Sequence, residues 1–216
     1  WQVDTKQMRI ATDVGVGIVE IMRTLIKPGE KVMLNSPVYE NIWRWISEVH
    51  ATTVDTPLSE DNLSYKLDLA AIEKEYQNGV KVHILCNPHN PVGAVFSKNQ
   101  LSELADLAKK YQVVILSDEI HAPLTYDAKT YTPFLNVSQT AKEVGITITS
   151  ASKSFNLAGL KCAVIISDST KLQERINLMP PAVTWRASLF GAVASTAAYA
   201  ESVDWLRSEE HTSELQ

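Results

Sequence analysis

Four apolar runs, at residues 80–86, 113–116, 146–149 and 162–166, each carry too little alternation for a half-exposed strand and too few residues for a helix. Such runs suit strands covered on both faces, as in a parallel sheet held between helices. The intervening sequence reads as helix. Residues 14–26 form a helical pattern stopped by Pro28-Gly29, 31–34 a short strand, 38–49 a second amphipathic helix rich in Trp, and 51–54 another strand. Asp68 begins a helix that Asn78-Gly79 ends. Ser97 to Gln100 fits a capping box, after which Leu101, Leu104, Ala105, Leu107 and Ala108 fall on one apolar face. Strands separated by helices imply right-handed crossovers, so the predicted fold class is α/β, a three-layer αβα arrangement around a mostly parallel sheet.

Composition removes several classes of function. With 216 residues, 45% of them apolar and 21% charged, the chain suits an ordinary globular protein with one sizeable core. A net charge of −5 gives no electrostatic footing for a nucleic-acid partner. No apolar run approaches the roughly 18 residues that span a bilayer, and the first residues lack a basic segment followed by an apolar one, so a soluble, cytoplasmic protein without membrane partners is expected. Cys86 and Cys162 each lie in an apolar run, which suits two buried free thiols rather than a disulfide or a metal site.

Sheets of this kind bind ligands beyond the carboxyl ends of their strands. The residues that follow the apolar runs are Asn87-Pro88-His89-Asn90-Pro91, then Ser117-Asp118-Glu119, then Ser150-Ala151-Ser152-Lys153. Singly, an Asn-Pro pair marks a turn, an Asp after a strand caps a helix, and a Lys is a solvated surface group. Together they bring an amide, a carboxylate and an amine to one edge of a sheet.

In that order and context, Asn87 to Gly93, Ser117 to His121 and Ser150 to Lys161 resemble the sequential signatures of class I/II, fold-type I pyridoxal-5′-phosphate (PLP) enzymes, and within them the MalY/PatB-type C–S lyases, the cystathionine β-lyases. The resemblance runs from about residue 9 to residue 206, with Pro37-Val38-Tyr39 as a fourth matching element. It implies a PLP-binding large domain over residues 1–206 with the family's small domain missing, and a homodimer when full length. Residues 207–216, polar and without a clear apolar face, are expected to be a non-native or disordered tail outside the fold.

The resemblance also assigns roles. Lys153 is the Schiff-base lysine, buried to keep its amine unprotonated, and then the base for the substrate's Cα proton. Asp118 pairs with the pyridine nitrogen and keeps it protonated, so the ring works as an electron sink. Asn90 binds the phenolic oxygen, and Tyr39 stacks on the ring. His121 stands where some relatives have a Tyr near that oxygen, or is a structural histidine. Asp13, Val14 and Gly15 match the phosphate loop at a helix start, completed by Ser150 and Lys161. Relatives commonly have Gly-Val-Val at this loop, so Asp13 departs from the pattern. The family's substrate-carboxylate arginine and a tyrosine from the neighbouring subunit fall outside this sequence, and Arg186 is no substitute for the former.

The implied reaction is β-elimination from L-cystathionine or another small sulfur-containing amino acid, giving a thiol, pyruvate and ammonia. An aminotransferase is the alternative within enzymes. A non-catalytic PLP-binding module or an inactive fragment is the alternative outside them.

Overall fold

A strand covered on both faces must present apolar side chains to two different helix layers, and the central strands do so. In β6 (Val80–Cys86) Val82, Ile84 and Cys86 join one core cluster while Leu85 joins the other. In β7 (Val114–Asp118) Leu116 faces the first cluster and Ile115 the second. The structure, a computed structural model, describes residues 3–61, 64–126 and 131–214, the side chains of 209–214 excepted.

The first cluster is completed by β2 (Lys31–Leu34), β8 (Gly145–Thr149), β9 (Ala163–Ile166) and the helices α1 (Val14–Leu25), α2 (Glu40–Glu48) and, farther along the chain, Thr170–Asn177. On the opposite face lie α3 (Leu69–Gln77), α4 (Lys98–Tyr111) and α5 (Gln139–Val144). The helix at Thr170–Asn177 is α6, followed by α7 (Ala182–Trp185), α8 (Leu189–Glu201) and α9 (Val203–Glu214). With β1 (Met8–Ala11) and β3 (Thr52–Asp55) the main sheet runs β1-β9-β8-β7-β6-β2-β3. A separate pair, β4 (Ser59–Asp61) and β5 (Ser64–Lys66), is antiparallel. This is the expected three-layer α/β fold. Among the described residues no helix is long and apolar enough to cross a membrane.

Side-chain caps start most of the helices. Asp13, Asp68, Ser97, Ser138, Ser169 and Ser188 each accept a hydrogen bond from the backbone N–H three residues on. The Ser97 half of the expected capping box is therefore present, at 3.2 Å from Gln100 N. A buried polar chain ties the second layer to the sheet. His83 Nδ1 is 2.7 Å from the Tyr76 hydroxyl, His83 Nε2 is 2.7 Å from Asn35 Oδ1, and Asn35 Nδ2 donates to Thr56 O. The amide oxygen can only accept, so His83 carries its proton on Nε2 and receives one from Tyr76. Burial pushes its pKa down to about 3, so the ring stays neutral.

Three sequence expectations need correction. The run at 162–166 forms β9, which is antiparallel to β8 and to β1, whereas β3, β2, β6, β7 and β8 are mutually parallel. The reason is the connection: a parallel return needs a crossover, usually a helix, and residues 150–162 supply only turns and one 3-10 turn at Ala158–Leu160. Helix α2 starts at Glu40 rather than at residue 38, because the backbone at Tyr39, φ −46° and ψ 122°, is not helical. At the other end α9 continues to Glu214, across the boundary placed at 207, since its Leu, Arg and Glu residues favour helix even without an apolar stripe. Leu215 and Gln216 of the expected tail lie outside the described residues.

Gly145, the first residue of β8, has no room for a side chain. A Cβ there would lie 2.7 Å from Ala141 O and 2.8 Å from both Leu135 Cδ2 and Phe134 Cδ1. At Gly159, by contrast, a Cβ meets nothing within 4 Å. Chemical denaturation should therefore show Gly145→Ala destabilised by about 1–3 kcal/mol and Gly159→Ala changed by less than about 0.5 kcal/mol. Equal effects would contradict this packing.

Candidate active site

The ladder brings three strand ends to one level. Cys86 pairs with Asp118 across β6 and β7, and Asp118 pairs with Ile148 across β7 and β8. Backbone bonds carry the order one step beyond the strands: Asn87 N–H donates to Asp118 O at 3.0 Å and Glu119 N–H to Ile148 O at 2.9 Å. Residues 87–90, 118–121 and 150–153 therefore emerge side by side. Above them a cavity of about 440 Å³ opens beside the start of α1. Its lining includes Asp13, Val14, Gly15, Tyr39, Asn90, Asp118, His121, Ser150, Lys153 and Lys161, so the fold gathers every site residue read from the sequence around one space.

Asp118 and Glu119 are adjacent buried carboxylates with different surroundings. Glu119 accepts from Ser117 Oγ at 2.9 Å, Phe134 N at 2.9 Å and Thr147 Oγ1 at 3.1 Å, and from the Tyr131 hydroxyl. These bonds oppose the burial that raises its pKa. Asp118 has a weaker set of supports: its Oδ1 accepts from Ile120 N at 3.2 Å. Burial is the main cause that pushes Asp118 up to about 7, with Glu119 adding to the rise and Lys153 opposing it. A carboxyl so placed takes a cationic N–H partner readily.

Lys153 lines the cavity but is an exposed residue, not the buried amine expected from sequence. It lies in the turns after β8, between buried Ala151 and buried Ser154. Its charge reaches both Asp118 and His121. His121 is half-buried, and burial together with that Lys153 charge lowers its pKa, so the ring is neutral near pH 7.

Asn90 and Tyr39 are held as a unit. Tyr39 N–H donates to Asn90 O at 2.9 Å. The ring nitrogens of buried His89 face the carbonyls of Cys86 at 3.0 Å and Pro37 at 2.9 Å, which ties the loop after β6 to the loop after β2. Ser150 is buried with its hydroxyl committed to the loop, donating to Cys162 O at 2.6 Å and accepting from Ser152 N at 3.1 Å. Cys162 is half-buried in the cavity wall, a correction to its expected burial, while Cys86 is buried as expected. Both thiols are free.

At the amino end of α1 the N–H groups of Val14 and Gly15 have no intrahelical acceptor. Asp13 Oδ1 accepts from Val16 N at 2.8 Å, and Asp13 Oδ2 lies 3.3 Å from Lys161 Nζ. The departure at Asp13 is thus a helix cap combined with an ion pair.

Sequence reasoning missed Trp45, Asn41, Ser152 and Ile120, all of which line the cavity. Trp45 meets Tyr39 edge-on, with ring centroids 6.0 Å apart at 71°. It also excludes any side chain from position 15, where a Cβ would lie 2.8 Å from Trp45 Cζ2. The Trp-rich pattern of α2 was the available signal. Arg186 caps the end of α7 and does not line the cavity. Among the described residues no cluster of His, Cys, Asp and Glu is arranged to hold a metal.

Comparison with known proteins agrees with the fold. A cystathionine beta-lyase of Corynebacterium glutamicum is 34% identical over 194 residues, covering 90% of this chain and 51% of that protein. The structure of a PLP-bound C-S lyase from Staphylococcus hominis superposes with a TM-score of 0.90 at 26% identity, over 98% of this chain and 54% of that one. Cystalysin from Treponema denticola, whose structure contains pyridoxal 5′-phosphate, gives a TM-score of 0.88 at 28% identity, over 96% of this chain and 53% of that one. The chain spans about half the length of the curated relatives it matches. The family model "aminotransferase class I and II" matches residues 2–213, and with that match, this sheet order and these relatives, the chain belongs to the aminotransferase class I and II family.

Proposed function

We propose that the cavity binds pyridoxal phosphate and serves a C–S β-lyase reaction on L-cystathionine or a related cysteine thioether. The observation that carries this reading is the convergence of Lys153, Asp118, Asn90 and Tyr39 with Lys161 and the start of α1 around one space. That donor set fits the group: free N–H donors and a cation for an anion, an aromatic face for a ring, an amide for a phenolic oxygen and a buried acid for a ring nitrogen. The relatives named cystathionine beta-lyase and the C-S lyase structures favour the lyase over the aminotransferase.

Bound there, the cofactor supplies an electron sink for the pair left when the substrate's Cα proton departs. The protein's part is positional and acid–base. Lys153 Nζ would hold the cofactor, and the same lysine amine would serve as the base that accepts the substrate's Cα proton. Asp118 would hold a proton between its carboxylate and the ring nitrogen; burial, with Glu119 adding to it, raises that acid's proton affinity. Tyr39 and Asn90 fix the ring plane. Loss of the Cα proton with cleavage of the Cβ–S bond releases the thiolate. The proposal extends to a cytoplasmic homodimer. It is supported by family resemblance and by the apolar surface of α7 and α8, where Trp185, Leu189 and Phe190 are all more than 70% exposed (81%, 75% and 78%).

The discriminating experiment supplies L-cystathionine to PLP-loaded protein without any keto acid. A lyase releases thiol and pyruvate in equal amounts; a requirement for added keto acid would overturn the assignment in favour of transamination.

Asp118 gives a second test. Its ordinary value is 3.8 and the folded one about 7, so between those limits the folded chain holds a proton the unfolded chain has lost. Stability without cofactor should then fall as pH rises from about 4 to about 7. Asp118→Asn should remove Asp118's share of that slope, leaving the part due to Glu119, and make the cofactor-free protein about 1–4 kcal/mol more stable at pH 8 by chemical denaturation, while turnover falls at least about 100-fold. An unchanged slope would contradict the burial assigned to this carboxyl.

A further inference from the structure

The amino end of α1 contains opposing charges. Its first N–H groups and Lys161 attract anions. Asp13, at the same end, is itself an anion, and its two oxygens have separate partners: Oδ1 caps the helix through Val16 N–H and Oδ2 pairs with Lys161. Capping does not require the charge, because Asn or Ser caps as well as Asp. The negative charge is favoured by the helix dipole and, beyond the cap, pairs with Lys161.

The other ionisable groups lining the cavity do not compete for this cation. Glu20 and Glu48 are bound by Arg23 at 2.7 and 3.1 Å. Lys153 acts electrostatically on both Asp118 and His121. Among the described residues, Asp13 is the carboxylate within ion-pair distance of Lys161. The Lys161 backbone is itself fixed: it adopts the left-handed conformation, φ 51° and ψ 70°, and its carbonyl accepts from Ser188 N at 3.0 Å. Its amine consequently has a limited reach, shared between Asp13 and any anion at the start of α1.

We propose that Asp13 is an internal competitor for Lys161, which the cofactor's phosphate must displace, so that phosphate binding is weakened and the cofactor exchanges readily. This inference rests on reading the cavity as a pyridoxal phosphate site. Asp13 would thereby set how strongly the phosphate, as distinct from the ring, contributes to retention.

The test is equilibrium titration with pyridoxal phosphate and with pyridoxal, which has the ring but no phosphate, on the parent, Asp13→Asn, Lys161→Met and the double variant. Asn preserves the cap, so α1 should remain folded, and circular dichroism checks it. Asp13→Asn should tighten pyridoxal phosphate about 3- to 10-fold and leave pyridoxal within about twofold. In the Lys161→Met background the same substitution should give less than about a twofold gain. No gain, an equal gain for pyridoxal, or a gain that persists without Lys161 would each overturn the inference while the cofactor reading stands. Failure of the parent to take up pyridoxal phosphate at all would overturn both.

Discussion

The parallel ladder between β6, β7 and β8 is the constraint on which the site depends. Strand side chains alternate with a period of two, so a slip of one residue would turn every side chain of a strand to the opposite face. The apolar residues on both faces of these strands resist such a slip, because Leu116 and Ile115 are committed to opposite helix layers. With that register fixed, Cys86, Asp118 and Ile148 stand abreast, and the segments carrying Asn90, His121 and Lys153 leave the sheet together. Packing far from the cavity thus decides where its polar groups begin.

The same alternation separates two neighbouring carboxylates. Asp118 shares the parity of Leu116, on the face covered by α1, and it borders the cavity. Glu119 follows the parity of Ser117 and is enclosed by bonds from Ser117, Thr147, Phe134 and Tyr131. Burial raises the proton affinity of both acids, but Glu119 is solvated by several protein donors, whereas among the described residues Asp118 accepts from the one backbone donor Ile120 N. Glu119 therefore contributes twice, by binding the segment at 131–134 to the sheet and by placing charge beside Asp118.

Much of this was legible in sequence because its cause is local. The runs at 80–86 and 31–34 have the observed bounds, and Ser97 and Asp68 cap the helices they were expected to start. The ten site residues were legible for another reason, their likeness to family signatures, and the fold then gathers them around one cavity. What local pattern could not supply was direction and environment. The antiparallel course of β9 follows from the lack of a crossover between it and β8, and the exposure of Lys153 follows from the turns that carry it. The Asp13–Lys161 pair joins residues distant in sequence, so only the three-dimensional arrangement turns an odd residue at the start of α1 into an ion pair.

The role proposed for Lys153 is to hold pyridoxal phosphate in this cavity. Its most direct test is the visible absorbance spectrum of the protein reconstituted with the cofactor, beside that of Lys153→Ala. The account predicts a band from lysine-bound cofactor in the parent that is lost in the variant. No band in the parent, or an unchanged band in the variant, would contradict it.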